Sequence, residues 1–312
     1  MNDPVDSPTI HQRPAPFEHV FVATDFSAGA AQAIARAGRL PLAERGKVTV
    51  VHVLSDRIPR KMRADAEKLA RRHLDQATKS LSKIAGTLGR RDIKVPSELC
   101  QGQAYVEIIR HARSAAADLV VLGRHGRRPV RDMFIGSTAE RVIRSGDLPV
   151  LVVSRKASRS YRRLLLAVDL EDTCRSVVGV ALRVVGPEVA SATMVHAYQV
   201  PFEGFMTPGA SAGEMTDLRK EYRQTAASGL ARLQASLDDL GVRWQTVIAR
   251  GDPSTAILAE AVRRRADLLT VGTHGRSGIA HALLGSVAEW VIRAAACDVL
   301  VARPARVSFE LP

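Results

Sequence analysis

The sequence contains few aromatic residues and no long apolar run. Phe, Tyr and Trp make up 4% of the 312 residues, so a hydrophobic core must consist mainly of Val, Leu, Ile and Ala. No apolar stretch approaches the roughly 20 residues that a membrane-spanning helix requires. The N-terminus lacks the basic residues and the apolar stretch of a secretory signal. These absences predict a soluble cytoplasmic protein without a membrane span, whose residues 1–16 form a disordered tail.

Cysteine is also scarce. Cys100, Cys174 and Cys297 lie far apart, and no Cys-x-x-Cys pair occurs. This spacing argues against a disulfide framework and against a zinc site, so no metal ligands are predicted. Cys100 and Cys297 adjoin apolar runs, where a cysteine acts as a small hydrophobic residue. Cys174 is predicted near a helix N-terminus, where the pKa of a thiol is lowered, but a redox role is not favoured.

Acidic residues are outnumbered, since 45 Lys and Arg residues against 32 Asp and Glu residues give a net charge of +13. A positive field attracts polyanions such as nucleotides, nucleic acids and acidic lipid surfaces. The basic residues are dispersed along predicted helices without interleaved aromatic residues, so stacking on unpaired bases is poorly supported. Solvated helix faces are the favoured interpretation, and nucleic acid is not predicted as a partner. The basic groups are Arg60, Lys61, Arg63, Arg71, Arg72, Arg263, Arg264 and Arg265.

The chain contains an internal repeat. The first half reads HVFVATDFS, KVTVVHVL, ADLVVLGRHG, IGSTAERVIR and LPVLVVSR, and the second reads RRLLLAVDL, SATMVHAY, ADLLTVGTHG, LGSVAEWVIR and CDVLVARP. The equivalent pairs are Asp25 and Asp169, His52 and His196, Gly102 and Gly251, Gly123 and Gly272, and Gly136 and Gly285. The predicted domains are residues 17–154 and 161–304. They are joined by the polar linker 155–160, and a C-terminal tail follows at 305–312.

Each half alternates short apolar runs with amphipathic segments. Runs such as VFVA, VTVVHV and DLVVLG are apolar throughout, which is typical of parallel strands that are covered on both faces. Helices are predicted after Ser27, over about 60–88, from Ala104 and from Ser137. Five strands and four helices per half indicate an α/β fold with two doubly wound parallel sheets and right-handed crossovers. Ligands of such sheets bind beyond the carboxyl ends of the strands.

A glycine-rich loop follows the fourth strand of each half. Gly123-Arg-His-Gly126 precedes Gly136-Ser137 by nine residues, and Gly272-Thr-His-Gly275 precedes Gly285-Ser286 by the same interval. Glycines let backbone N–H groups approach a phosphate closely. Ser137 and Ser286 are predicted to cap the helices that follow and to present N–H groups to an anion. The alternative is a structural turn, which a duplication copies just as faithfully; the repeated spacing favours the anion site.

The G-2x-G-9x-G-S pattern, the strand ends ATDFS and AVD, and the closing PVLVV resemble the universal stress protein family. The resemblance covers nearly the whole chain and points to the ATP-binding branch. It implies Rossmann-like domains of the adenine nucleotide alpha hydrolase-like type, with ATP across the strand ends and Mg²⁺ held by the triphosphate. It also implies a pseudo-dimer of the two halves through their last strands, and a homodimer of the whole chain is compatible with it.

The resemblance also implies the residues that contact ATP. The base would lie near Asp25 and Val53 in the first half and near Asp169 and Ala197 in the second. The full first set is Ala23, Thr24, Asp25, Val53, Gly123, Arg124, His125, Gly126, Gly136, Ser137, Thr138 and Ala139. The full second set is Ala167, Val168, Asp169, Ala197, Gly272, Thr273, His274, Gly275, Gly285, Ser286, Val287 and Ala288.

Several residues in or near the predicted sites have a structural role as an alternative to ligand contact. Asp25 and Asp169 could cap the following helices, although ligand contact is favoured. His52 and His196 lie on apolar strands, so they are expected to be hydrogen-bonded core residues. Gly102 and Gly251 are expected in the turn before a helix, with Pro253 in its first turn.

The two halves differ around the predicted sites. The first loop carries Arg124, Arg127, Arg128 and Arg131, whereas the second carries only Arg276. In the second half, Glu171 and Asp172 follow the first strand. Carboxylates oppose the charge of a nucleotide, so unequal occupancy of the two sites is expected.

The sequence lacks the marks of several ATP-using enzymes. Neither G-x-x-x-x-G-K-[ST] nor G-x-G-x-x-G occurs. His125 and His274 are only weak candidates for a catalytic base, so no enzyme is predicted.

An ATP-dependent regulator of stress, dormancy or growth responses is favoured, with regulatory protein partners that the sequence does not identify. The alternatives are a slow ATPase or autophosphorylating protein, with Ser137 or Ser286 as acceptor, and a nucleotide-independent scaffold. Bulky residues at Gly123 and Gly272 are expected to remove bound ATP and leave the fold intact.

Overall fold

The computed structural model describes residues 13–126, 135–170, 174–189, 191–200, 212–273 and 284–303. The first half consists of β1 (Phe17–Ala23), α1 (Ala28–Ala37), β2 (Leu42–Leu54), α2 (Arg60–Thr87), β3 (Ser97–Gln101), α3 (Ala104–Ser114), β4 (Leu119–Gly123), α4 (Ser137–Ser145) and β5 (Val150–Val153). The second half consists of β6 (Leu164–Ala167), α5 (Cys174–Val185), β7 (Ser191–Tyr198), α6 (Ala212–Ala235), β8 (Arg243–Arg250), α7 (Pro253–Arg263), β9 (Leu268–Gly272), α8 (Ser286–Ala294) and β10 (Asp298–Ala302). The predicted alternation of strands and helices is confirmed.

The strands of both halves form one continuous sheet. Its order is β3-β2-β1-β4-β5-β10-β9-β6-β7-β8. Within each half the neighbouring strands are parallel, whereas β5 and β10 pair antiparallel, with Leu151 opposite Leu300. The two halves therefore meet through their last strands, which is the contact that the family resemblance implies. This pairing also covers two edge strands whose N–H and C=O groups would otherwise lack partners.

The sheet is covered by helices on both faces, which explains why its strands are apolar along their length. In β1, Phe21 and Val22 are both fully buried, but they belong to cores on opposite faces. The core around Val22 includes side chains of α1, α2, α5 and α6, and the core around Phe21 includes those of α3, α4, α7 and α8. Aliphatic residues dominate both cores, as the scarcity of aromatic residues predicts.

The helix starts show two kinds of N-terminus. The Ser27 side chain caps α1 by accepting a hydrogen bond from the Ala30 N–H at 3.2 Å. In α4 the N-cap is Gly136, and in α8 it is Gly285, so each following serine is the first helical residue. The predicted capping by Ser137 and Ser286 is therefore wrong. Each serine lies one position too late for its hydroxyl to reach the N–H groups of the first turn.

Asp298 on β10 holds the two halves together at the centre of the sheet. Its buried carboxylate accepts hydrogen bonds from Arg36 Nε at 3.1 Å, from the Tyr161 hydroxyl at 2.6 Å and from the Ser154 N–H at 2.9 Å. The Arg36 guanidinium also lies 3.9 Å from the centre of the Tyr161 ring. Burial and the Asp298 carboxylate raise the pKa of Tyr161 well above its ordinary value. One carboxylate thus joins α1, the linker region and β10.

Part of the predicted N-terminal tail makes contacts with the second half. The Arg13 guanidinium donates hydrogen bonds of 2.9 Å to the carbonyls of Leu240 and Gly241. Arg183 Nε donates to the Ala15 carbonyl at 2.9 Å. Residues 13–16 are therefore not a free tail, because these carbonyl contacts fix them on the surface. Residues 1–12 and 305–312 lie outside the described part. Among the helices that are described, none combines the length and apolarity needed to cross a bilayer.

Candidate functional site

The carboxyl ends of β1, β2 and β4 meet at one edge of the first half. The strand order β3-β2-β1-β4-β5 means that successive strands are added in opposite directions on the two sides of the β1–β4 pair. Such a switch point leaves a crevice outside the strand ends, where doubly wound sheets bind their ligands. Asp25 follows β1, Val53 lies near the end of β2 and Gly123 ends β4. The structure thus brings these predicted residues to one edge.

Asp25 faces the glycine loop and does not cap α1. Its Oδ1 accepts a hydrogen bond from the Ser27 N–H at 3.0 Å, while Ser27 itself caps the helix. A Cβ atom on Gly126 would lie 2.6 Å from Asp25 Oδ2. The alternative role of Asp25 as a helix cap is therefore wrong. In the second half Asp169 accepts a hydrogen bond of 3.0 Å from the Cys174 thiol, and residues 171–173, with Glu171 and Asp172, lie outside the described part.

The two strand histidines fix the chain after the first strand of each half. Nδ1 of His52 lies 2.7 Å from the Thr24 carbonyl, and Nδ1 of His196 lies 2.8 Å from the Val168 carbonyl. Because a carbonyl can only accept, each Nδ1 is the donor. Both histidines are half-buried and hydrogen-bonded, as predicted.

The residues that follow Asp25 and Asp169 share a strained backbone. Phe26 and Leu170 have φ angles of +63° and +68°, in the left-handed region that side chains rarely adopt. The Phe26 ring lies 4.3 Å from the His52 ring, measured between centroids. The repeated strain shows that both halves make the same turn at the strand end.

The glycine loop and the start of α1 approach each other through their backbones. A Cβ atom on Gly123 would lie 2.6 Å from the Gly29 carbonyl carbon, and one on Gly29 would overlap the His125 carbonyl. Side-chain carbons do not approach other atoms so closely, so both positions require glycine. Sequence reasoning missed Gly29, and the only signal was the run of small residues after Ser27. The equivalent position in the second half, Thr173, lies outside the described part.

The loop returns to its starting point at the beginning of α4. The Gly136 N–H donates to the Arg124 carbonyl at 2.8 Å, and the Arg124 N–H donates to the Val153 carbonyl at 2.9 Å. Helix geometry leaves the N–H groups of the first turn without an acceptor inside the helix, and Gly136 has no side chain to supply one. These N–H groups belong to Ser137, Thr138 and Ala139, and free N–H groups at a helix N-terminus are suited to contact an anion. The Ala139 side chain is buried in the core, so only its backbone is available.

The second half repeats this return. The Gly285 N–H donates to the Thr273 carbonyl at 3.0 Å, and the Thr273 N–H donates to the Ala302 carbonyl at 3.1 Å. α8 then begins at Ser286 and continues with Val287 and Ala288. His274, Gly275 and Arg276 lie outside the described residues. The part of the second loop that the structure describes thus has the same hydrogen-bond pattern as the first.

His125 carries an unsatisfied nitrogen at the loop. Its Nε2 is buried, and within the described ranges no group forms a hydrogen bond with it. A buried polar atom without a partner costs about 1–3 kcal/mol. His125 Nε2 is therefore open to a hydrogen bond with water, with a residue outside the described part or with a bound molecule.

The Arg124 side chain contacts the second half. It is buried, and its guanidinium donates to the Ala295 carbonyl in the second half at 2.5 Å. Arg303 makes a reciprocal contact, from the end of the second half to the Ile143 carbonyl of the first. The Arg124 guanidinium therefore joins the two halves, which gives this residue a structural role as the alternative to its predicted contact with ATP. Arg127, Arg128 and Arg131 lie outside the described part of the chain.

The three cysteines are buried and poorly ionised. Burial raises the pKa of Cys100 to about 11, with a contribution from the carboxylates of Glu98 and Glu107. Burial also raises the pKa of Cys297 to about 12. Cys174 is the first residue of α5, yet burial and its hydrogen bond to Asp169 raise the pKa of this thiol to about 12. The lowered pKa expected for Cys174 is therefore wrong.

Comparisons with known proteins assign both halves to one family. The profile of the universal stress protein family matches residues 16–154 and 160–303. A universal stress protein of Methanocaldococcus jannaschii is 30% identical over 152 residues, which are 48% of this chain and 87% of that protein. One of Mycolicibacterium smegmatis is 25% identical over 246 residues, which are 76% of this chain and 78% of that protein.

The fold is also found among solved structures. A universal stress protein from Archaeoglobus fulgidus DSM 4304 superposes with a TM-score of 0.62 at 18% identity, covering 92% of this chain and 99% of that chain. At this level of identity the likeness concerns the fold alone, and it includes both halves.

Proposed function

Because the chain belongs to the universal stress protein family, we propose that it binds ATP at its strand-end loops and that nucleotide occupancy regulates its protein partners in stress, dormancy or growth. The observation that carries the proposal is the start of α4. There the glycine loop meets the side-chain-free N-cap Gly136, where a Cβ atom would lie 3.7 Å from the Gly126 nitrogen. A triphosphate needs close N–H donors, and a helix N-terminus supplies them together with a favourable dipole.

The first site would hold ATP along the β1–β4 switch point. Asp25 and Val53 would contact the adenine, and the N–H groups from Gly126 and from Ser137 to Ala139 would contact the phosphates. His125 Nε2, a buried atom without a hydrogen-bond partner among the described residues, would bond to a phosphate oxygen. Mg²⁺ would be held by the triphosphate oxygens. The net charge of +13 favours the approach of the anion.

The second site would use Asp169, Ala197 and the start of α8 in the same way. We expect it to bind ATP more weakly, because Glu171 and Asp172 follow its first strand and add negative charge. The second loop also offers fewer arginines than the first. Regulation then requires that ATP binds one conformation of the protein better than another.

Rapid turnover is not part of the proposal. Hydrolysis needs a positioned water and a general base. The His52 imidazole already donates to the Thr24 carbonyl, and His125 has no carboxylate hydrogen-bonded to it within the described residues. Slow hydrolysis or phosphorylation of Ser137 or Ser286 is the second candidate, and a nucleotide-independent scaffold is the third.

Substitutions at Gly136 test the proposed site without disturbing the core. A Cβ atom at this position would lie 3.4 Å from the Arg124 carbonyl, which is an ordinary contact. Gly136→Asp places a carboxylate on the N–H groups of the first turn, where it caps α4 and excludes a phosphate. Gly136→Ala is the matched control, because it adds the Cβ atom without the carboxylate.

Isothermal titration calorimetry with Mg²⁺–ATP measures the outcome. We expect Gly136→Asp to weaken ATP binding in the first half by about tenfold or more, equivalent to about 1.4 kcal/mol. Gly136→Ala should bind with little change, and Gly136→Asp should unfold at the same denaturant concentration as the control or higher. If the two variants bind ATP with equal affinity, the phosphate site does not lie at Gly136. A wild-type protein that ignores ATP would favour the scaffold, and ADP produced in proportion to protein would favour the ATPase.

A further inference from the structure

Four polar residues of the first half converge between β3 and α3. Side chains at alternate strand positions share a face, so Glu98 and Cys100 both project from one side of β3. Glu107 and His111 are four residues apart on α3 and therefore share a face of that helix. The Cys100 side chain belongs to the core that α3 covers, so the two pairs face each other.

The donor atoms of this group are close enough to share one ion. The carboxylate of Glu98, the thiol of Cys100 and a ring nitrogen of His111 lie within 4.8 Å of one another. His111 Nδ1 is 3.0 Å from Glu98 Oε2. Around a tetrahedral zinc ion, donors at bond lengths near 2.2 Å are about 3.6 Å apart. Small rotations of side chains are therefore enough to bring the three donors to one centre.

We propose that Glu98, Cys100 and His111 bind a divalent cation of the zinc class. Thiolate and imidazole ligands select borderline-soft ions such as Zn²⁺ over Mg²⁺ or Ca²⁺, which prefer oxygen. Three protein ligands leave the fourth position of a tetrahedral ion for water. Cys100 is buried, whereas Glu98 and His111 are half-exposed, so the ion can enter from solvent.

Glu107 is placed to orient the histidine ligand. His111 Nε2, on the opposite side of the ring from Nδ1, is 3.6 Å from Glu107 Oε2. Glu107 is itself paired with Arg110 at 2.6 Å. Histidines that bind metals commonly direct their second nitrogen to a carboxylate, which fixes the ring and increases its basicity. Glu107 is therefore a positioning residue and not a ligand.

The second half shows that the fold does not require this group. By the offset of the repeat, Val247 and Ala249 take the places of Glu98 and Cys100, and Glu260 takes that of His111. Val247 and Ala249 lie on β8, which pairs with β7 as β3 pairs with β2. The two strand positions are therefore apolar in the second half, and Glu260 forms ion pairs with Arg263 and Arg264 of its own chain segment. The donor set is a particular property of the first half.

The spacing of the cysteines could not reveal the site. A zinc motif with Cys-x-x-Cys places two ligands on one tight turn, and its absence led to the expectation of no metal site. Here the ligands come from a strand and from the helix that follows it, more than ten residues further on. Only their packing brings them together.

Tag-free protein is titrated with Zn²⁺ in competition with a chromophoric chelator, without nucleotide. Co²⁺ is then substituted, because a cobalt–thiolate bond gives a charge-transfer band in the near ultraviolet. We expect the wild type to bind one Co²⁺ ion with this band, and we expect the band to be absent in Cys100→Ala. His111→Gln should lower the affinity for Zn²⁺ by about tenfold or more, and so should Glu107→Gln, which removes the positioning carboxylate. Cys174→Ala is the matched control, because it removes a different buried thiol of the same protein.

The outcomes separate the site from a simple ion-pair network. Absence of Zn²⁺ binding in the wild type, or a cobalt band that persists in Cys100→Ala, overturns the proposal. If Cys100→Ala does not fold, His111→Gln decides, because His111 is half-exposed and its substitution spares the core. Unchanged Zn²⁺ affinity in a folded His111→Gln variant also overturns the proposal. None of these readouts depends on ATP.

Discussion

Gly123 and Gly29 approach each other backbone to backbone: a Cβ atom on Gly123 would lie 2.6 Å from the carbonyl carbon of Gly29 and 2.7 Å from its oxygen. The end of β4 is therefore packed directly on the first turn of α1. Glycine at position 123 serves the packing of the fold as well as the shape of the loop. A bulky residue at Gly123 would therefore destabilise the fold, contrary to the expectation from the sequence that the fold is unaffected.

The first prediction concerns Gly123→Val. The added side chain would push α1 away from β4, and overpacking of this kind costs about 1–3 kcal/mol. We expect a lower urea midpoint together with a loss of ATP binding. Gly136→Ala is the control, since its Cβ atom would meet only an ordinary contact at 3.4 Å. If Gly123→Val were as stable as the wild type, the close approach of β4 and α1 would be wrong.

The second prediction concerns the buried ion pair between Arg36 and Asp298. Asp298→Asn leaves the Arg36 guanidinium buried without its counter-ion, which costs about 3–5 kcal/mol. Because Asp298 also binds Tyr161 and the Ser154 N–H, the junction of the halves should weaken. Guanidinium denaturation should show a loss of that size. The exposed Asp65→Asn should change stability by no more than about 0.5 kcal/mol. Similar losses in the two variants would argue against the role of Asp298.

The third prediction separates the role of Arg124 from phosphate binding. Its guanidinium donates to the Ala295 carbonyl in the other half. Arg124→Ala should therefore lower the unfolding free energy by about 1.5–3 kcal/mol, the usual value for a hydrogen bond from a charged group. ATP affinity should change by less than about threefold, or about 0.7 kcal/mol. Arg303→Ala removes the reciprocal contact and should lower stability similarly. A large loss of ATP affinity at full stability would place Arg124 in the ligand site.

The fourth prediction concerns the pH dependence of stability through His19. This buried histidine has Nδ1 2.9 Å from the Ala115 carbonyl and Nε2 2.8 Å from the Thr49 hydroxyl. Burial lowers the pKa of His19 below its ordinary value of 6.5. The unfolded state therefore binds a proton at a higher pH than the folded state does, so stability falls as the pH drops below 6.5 toward the folded pKa.

The variant His19→Gln isolates this effect. It cannot titrate, so its urea midpoint should depend less on pH than that of the wild type. The difference in slope between the two proteins should be at most about 1.4 kcal/mol per pH unit, the value for one proton. Parallel curves for the two proteins between pH 6.5 and pH 4.5 would show that His19 does not contribute.

Much of the fold could be predicted because its signals are local. The apolar run of β1 indicates a strand covered on both faces, and the amphipathic segment of α2 predicts its bounds closely. The start of the helix at Ser137 was predicted from the Gly136-Ser137 pair that opens it. Such signals depend on residues that are close in the chain, so no knowledge of the packing is needed to read them.

The details of the candidate site were less predictable. Gly29 was missed because its requirement arises only when α1 lies against His125. The capping role given to Ser137 failed by one residue, since the sequence does not show which backbone adopts the extended N-cap conformation. The prediction of a lowered pKa for Cys174 was wrong, because burial raises the pKa of this thiol more than the helix terminus lowers it.

The sequence by itself determined the duplication, the strand and helix order, and the spacing of the glycine loops, because each depends only on local apolar periodicity and residue type. Only the tertiary structure decided that Arg124 donates to Ala295 in the other half and that Cys100 meets His111. Side-chain partners that are distant in sequence depend on how the elements pack, and on the balance between burial and hydrogen bonding at each contact. That balance exists only once the chain is folded.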